Sequence, residues 1–275
     1  MQFHWILVSC LFVVGWQHTG PSGQNPEAKT PYVQKMEKQF AFYPGGKLEI
    51  SAAAPGDVRV VGWESASVRV EMEQVFFYVS ADVARALAGQ YPVRVTNTPA
   101  VARISTSGTE HPGAVMEVNV LVYVPREKTD LKIRMTKGDL SLATFNGWIE
   151  ATIEEGNVEV RNMAGFLSAQ TNIGDLDAEL AGPHWVGPGL TLKTKRGAGN
   201  LRLPADFSAV VQLETKNGRI SCDYPDQTID GETVPLKTIT KKKAASMSAP
   251  INSGGALIQL MTSFGDIEFS TPTQK

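Results

Sequence analysis

Gly138, Gly147, Gly156, Gly165 and Gly174 fall nine residues apart, and this spacing constrains the chain more than any other feature of it. The units they open read GDLSLATFN, GWIEATIEE, GNVEVRNMA, GFLSAQTNI and GDLDAELAG. Each has an apolar third residue (Leu140, Ile149, Val158, Leu167, Leu176) and an apolar fifth (Leu142, Ala151, Val160, Ala169, Ala178), with mostly polar residues between. Alternation with a period of two is a β-strand with one buried face. A glycine at a fixed offset supplies the corner between short strands, because tight corners often need φ > 0 and only glycine adopts it without steric cost.

The residue after each glycine is polar in one set (Asp139, Asn157, Asp175) and aromatic in the other (Trp148, Phe166), so the full period is eighteen residues. Two strand-and-corner halves of that length predict one coil of a β-solenoid, stacked on the next at the strand spacing of ~4.8 Å. The fold class expected is all-β: a single-stranded, right-handed parallel β-helix with one short inserted helix. Asp139, Asn157 and Asp175 then form one corner ladder, Trp148 and Phe166 another, and Ser141, Glu159 and Asp177 an outward row. No coil buries its apolar face alone, so several must stack.

The same corner recurs less regularly at Gly46, Gly56, Gly199, Gly218 and Gly265. Two insertions interrupt the later part, 181–189 with Trp185 between prolines, and 223–250 with Lys241, Lys242 and Lys243. Ser80 to Gly89 predicts a helix with Ser80 as N-cap and Gly89 as terminator. Val118, Val120, Val122 and Val124 alternate as a strand up to Pro125.

Phe3 to Trp16 is an apolar run of signal-peptide length followed by polar, Gly- and Pro-containing chain. The division expected is a signal segment at 1–22, cleaved or retained as an anchor, a flexible linker at 23–40, and one β domain over 41–275. A net charge of −2, from 26 basic against 28 acidic residues, argues against nucleic-acid binding. Only Cys10 and Cys222 are present, which excludes a disulfide framework and a Cys-rich metal site. His111 and His184 lack ligand spacing, so no metal and no cofactor are expected.

The opening GGKLEISAAAPGDVRVVGWESASVRVE, the run VNVLVYVPREKTDLKIRMTKGDLSL, and the G-[DN]-[LIV] corners through FGDIEF at Gly265 together resemble the exported bacterial β-solenoid proteins labelled "putative adhesins". The resemblance covers roughly Gly46 to Ser270. It implies export to the periplasm, cell surface or medium and a binding or structural role, and it carries over no catalytic residue.

The candidate ligand-binding residues are Asp139, Asn157, Asp175, Glu159, Asp177 and Trp185. Clustered carboxylates suit calcium, but the units lack the extra glycines and regular aspartates of calcium-binding β-rolls, and an Asx after a corner glycine commonly bonds its own backbone. Glu159 beside Asp177 is the pairing that glycan cleavage uses, with an ordinary polar face as the competing role. Trp185 is either a sugar-stacking residue or a loop residue tucked against the coils. The function expected is a non-enzymatic envelope or surface binding module whose partner is a glycan or protein. A self-associating periplasmic scaffold and a glycan-active enzyme are the alternatives.

Overall fold

Buried and exposed side chains alternate along most strands, as in the eleven-residue strand Ser67–Phe77, whose even-numbered residues are buried throughout. The computed structural model describes residues 31–108, 115–229 and 232–272. The signal segment at 1–22, Cys10 and His111 lie outside the described residues.

In chain order the elements are β1 (Tyr32–Ala41), β2 (Lys47–Ala52), β3 (Val58–Trp63), β4 (Ser67–Phe77), the helix α1 (Ala81–Gln90), β5 (Arg94–Asn97), β6 (Val101–Thr106) and β7 (Val115–Pro125). Next come β8 (Asp130–Lys137), β9 (Leu140–Ala143), β10 (Asn146–Glu155), β11 (Val158–Arg161), β12 (Ala164–Ile173) and β13 (Leu176–Glu179). The remainder holds β14 (Gly189–Arg196), β15 (Gly199–Arg202), β16 (Ala209–Thr215), β17 (Ile220–Asp223), β18 (Gln227–Ile229), β19 (Glu232–Val234), β20 (Ile239–Lys241), β21 (Ala244–Ile251), β22 (Leu257–Phe264) and β23 (Ile267–Ser270). β1 starts within the stretch read from sequence as a linker.

These strands build two large mixed sheets, with β18 and β19 pairing separately. The ten-stranded sheet has the order β1-β4-β7-β3-β9-β11-β13-β15-β23-β17, and the eleven-stranded one β20-β21-β16-β22-β14-β12-β10-β8-β2-β6-β5. From β8 to β15 the chain alternates between them, and inward side chains from both merge into one hydrophobic core that includes Leu140, Ile149, Val158, Leu167 and Leu176.

The single-stranded parallel β-helix expected from the glycine period is therefore corrected. A β-helix of that kind has parallel neighbours only, whereas β1/β4, β4/β7, β5/β6, β16/β21 and β20/β21 are antiparallel. The strand order also departs from chain order: β22 and β23 lie between β14/β15 and β16/β17. The regular glycines span only the central strands, and outside them hairpins and returning segments cover the ends of both sheets. Within the central strands the register does advance by eighteen residues, with Gly147 opposite Gly165 and Val158 opposite Leu176.

α1 starts where the sequence places it. The Ser80 side chain accepts from the Val83 backbone N–H at 3.4 Å, and Leu87 and Ala88 face the core. Gly89 lies inside the helix, which ends one residue later, and Gln74, buried on β4, donates Nε2 to the carbonyl of the C-cap residue Tyr91 at 2.9 Å.

Candidate functional site

The corner ladder is the most regular polar feature. Asp57 Oδ1 accepts the Asp139 backbone N–H at 2.9 Å, Asp139 Oδ1 that of Asn157 at 2.8 Å, Asn157 Oδ1 that of Asp175 at 2.7 Å, and Asp175 Oδ1 that of Ala198 at 2.7 Å. Asn119 extends the ladder at one end by accepting from Asp57. Each side chain thus satisfies a corner N–H of the neighbouring strand, as Asx residues do in turns. The preceding glycines stack equally closely. At Gly156, φ is +150° and an added Cβ would lie 1.9 Å from the Gly138 carbonyl oxygen.

A second ladder, not anticipated from sequence, lies on the inner side of these corners. Buried Thr171, Thr194, Thr262 and Thr215 donate Oγ1–H to the carbonyls of Gly156, Gly174, Gly197 and Gly265 at 2.8–2.9 Å. The corner carbonyls therefore keep hydrogen-bond partners where water is excluded. A threonine three residues before each of Gly174, Gly197, Gly218 and Gly265 was the available signal.

Glu159 and Asp177 are paired across β11 and β13 as predicted. Two arginines occupy the space between the carboxylates. Arg161 contacts Asp177 at 2.9 Å and Glu159 at 3.0 Å, while Arg202 contacts Asp177 and, at 3.2 Å, Glu179. Partial burial works to raise the Asp177 pKa, but hydrogen bonds from Arg202 and Arg161 outweigh it and hold the carboxyl below its ordinary value. A general acid for glycan cleavage needs the opposite shift. The arrangement is an ion-pair lattice that ties β11, β13 and β15 together. Arg161 and Arg202 fall in one row, on either side of Glu179, that the sequence shows only once β11, β13 and β15 are aligned.

Trp185 is 5% exposed, and its Nε1–H donates to the Gly165 carbonyl at 2.8 Å. It pins the 181–189 insertion to the sheet and offers no open ring. The free cysteine, Cys222, is half-buried, and that burial pushes its thiol pKa up, away from reactive thiolate. Among the described residues no group of three or more His, Cys, Asp or Glu side chains could hold a metal ion.

The open aromatic surface lies elsewhere. Trp148 on β10 and Phe166 on β12 stack at 4.1 Å between centroids and 24° between planes, and Trp148 is 50% exposed. The next outward row across the same sheet is Glu150, Ser168, Thr191, Gln259 and Gln212. Trp148 Nε1 donates to Glu150 at 3.2 Å, and Gln259 Nε2 to Gln212 at 2.9 Å. A ring pair beside a line of amides, hydroxyls and one carboxylate is amphipathic in the way a sugar ring is.

No protein-family model matches the chain, and no curated protein matches it. Among solved structures it is similar to a "putative cell adhesion protein" from Clostridium sporogenes, at 13% identity and a TM-score of 0.42, over 87% of this chain and 100% of the other. It is also similar to a "putative adhesin" from Bacteroides fragilis, at 10% identity and a TM-score of 0.36, over 86% and 97% of the two chains. A third, a "putative adhesin" from Parabacteroides distasonis, shares 12% identity at a TM-score of 0.28, over 86% and 97%.

Proposed function

We propose that this chain is a non-enzymatic binding module of the bacterial envelope, exported by its N-terminal segment, which holds a glycan on the outer face of the eleven-stranded sheet. The observation that carries this reading is the exposed Trp148–Phe166 stack beside the polar row from Glu150 to Gln212. Large exposed aromatic surface is costly to leave in water and is characteristic of recognition sites, while neighbouring amides and hydroxyls exchange hydrogen bonds with sugar hydroxyls. Sheet residues are held rigidly, so binding orders few side chains. The ion-paired state of Asp177 favours this reading over glycan cleavage.

The test is binding of the purified protein to a panel of neutral envelope polysaccharides, alongside Trp148→Ala/Phe166→Ala. Binding that weakens at least roughly tenfold in the double variant, in line with the worth of stacked aromatic contacts, supports the assignment. Equal binding by both proteins, or binding to none of the panel, overturns it.

A further inference from the structure

The outer side of the ten-stranded sheet carries the lattice of Glu159, Asp177 and Glu179, paired with Arg161 and Arg202. At the far end of the eleven-stranded sheet, where β12, β14, β22 and β16 run into the corners that also hold the Asp175 and Asp266 carboxylates, unpaired cations gather. Lys193, Lys195 and Arg196 project from β14, and Lys216 follows β16 two strands away, about 10 Å across the sheet. Among the described residues, none of the four side chains makes an ion pair or hydrogen bond, although Glu214 lies nearby. Arg196 is flanked in register by Ile173 on one side and Phe264 on the other, and these are 48% and 58% exposed.

Unpaired cations around protruding apolar side chains match the composition of a membrane interface, where headgroup phosphates take the charge and an aromatic ring enters the acyl boundary. An acidic polysaccharide would use the cations but leave Ile173 and Phe264 in water. A second copy of this chain would have to bring carboxylates, and those of the lattice and the corner ladder already hold Arg161, Arg202 and corner N–H groups. We propose that this corner docks the protein onto an anionic lipid bilayer, with the cations on headgroups and Phe264 and Ile173 in the interface.

The experiment compares partition of the full chain onto vesicles of phosphatidylcholine with and without added phosphatidylglycerol. The apolar N-terminal segment contributes equally to both, so the ratio isolates the corner. Each cation near an anionic surface contributes roughly fivefold. The expected result is a strong, salt-sensitive preference for anionic vesicles that falls at least about thirtyfold in Lys193→Gln/Lys195→Gln/Arg196→Gln/Lys216→Gln. Phe264→Ser should weaken binding to anionic vesicles by about tenfold. A quadruple variant that melts like the parent yet keeps the preference overturns the proposal. So does alginate, an acidic polysaccharide, binding with the same four-residue dependence while vesicles do not. If the quadruple variant fails to fold, Lys193→Glu alone must reduce the preference at least fivefold, and an unchanged ratio overturns the proposal equally. Neutral-glycan binding at Trp148 is unaffected by these charge changes, so failure here leaves the preceding reading standing.

Discussion

Asp139 Oδ1 accepts the backbone N–H of Asn157, eighteen residues further along the chain, at 2.8 Å. One side chain thereby closes a corner of the next strand, and the same relationship recurs from Asn157 to Asp175. Replacing Asn157 with Ala leaves the Asp175 N–H to water and should lower stability by about 1 kcal/mol, read from urea unfolding. With one oxygen of each ladder side chain committed to a backbone donor, the ladder should gain no stability from millimolar calcium, and a calcium-dependent rise in Tm would contradict this assignment.

Gly156→Ala should be far more damaging. Its φ of +150° is outside what alanine adopts, and the new Cβ would collide with the Gly138 carbonyl, which is backbone and cannot move aside. A loss of roughly 3 kcal/mol or more in urea unfolding is expected.

Thr215→Val keeps the shape of a fully buried side chain but removes the donor to Gly265 O at 2.8 Å. The stranded carbonyl should reduce stability by about 1–3 kcal/mol, seen as a lower unfolding midpoint with an unchanged urea slope.

Asp177 makes stability depend on pH in a defined direction. Its folded pKa lies below the ordinary 3.8, so the unfolded chain binds protons more readily in acid. The stabilisation is present above about pH 4 and drains away as pH falls through the folded pKa. Asp177→Asn should flatten that part of the stability curve. Glu49 behaves alike, lowered from 4.5 to about 2 by hydrogen bonds from Lys47 and Arg103, but its partners are largely exposed and high salt should suppress its share.

Two tryptophans should separate stability from binding. Trp185→Phe removes the donor to Gly165 O and part of the core packing, and should lower stability by about 1–2 kcal/mol with glycan binding unchanged. Trp148→Ala, on an open face, should leave the unfolding midpoint nearly in place while weakening that binding.

Trp185 shows where sequence reading stops. A tryptophan between prolines is compatible with either an open or a buried ring, and only the approach of the 181–189 insertion to Gly165 places it inside. Arg161 and Arg202 were missed for a related cause. They are 41 residues apart in sequence, and they converge on Asp177 only because β15 pairs with β13 after the insertion.

By itself the sequence determined the local conformations and, for the central strands, which residues face one another. Glycine's access to positive φ and the two-residue alternation of strands act within a few residues, so the eighteen-residue register of Trp148 on Phe166 and Asn157 on Asp175 was readable in advance. Only the tertiary structure decided the two mixed sheets, the antiparallel partners of β4 and β16, and the place of β22 and β23 between earlier strands. Any alternating strand can bury its apolar side against several others, and the choice rests on long-range burial and loop closure summed over the whole chain, which no short segment encodes.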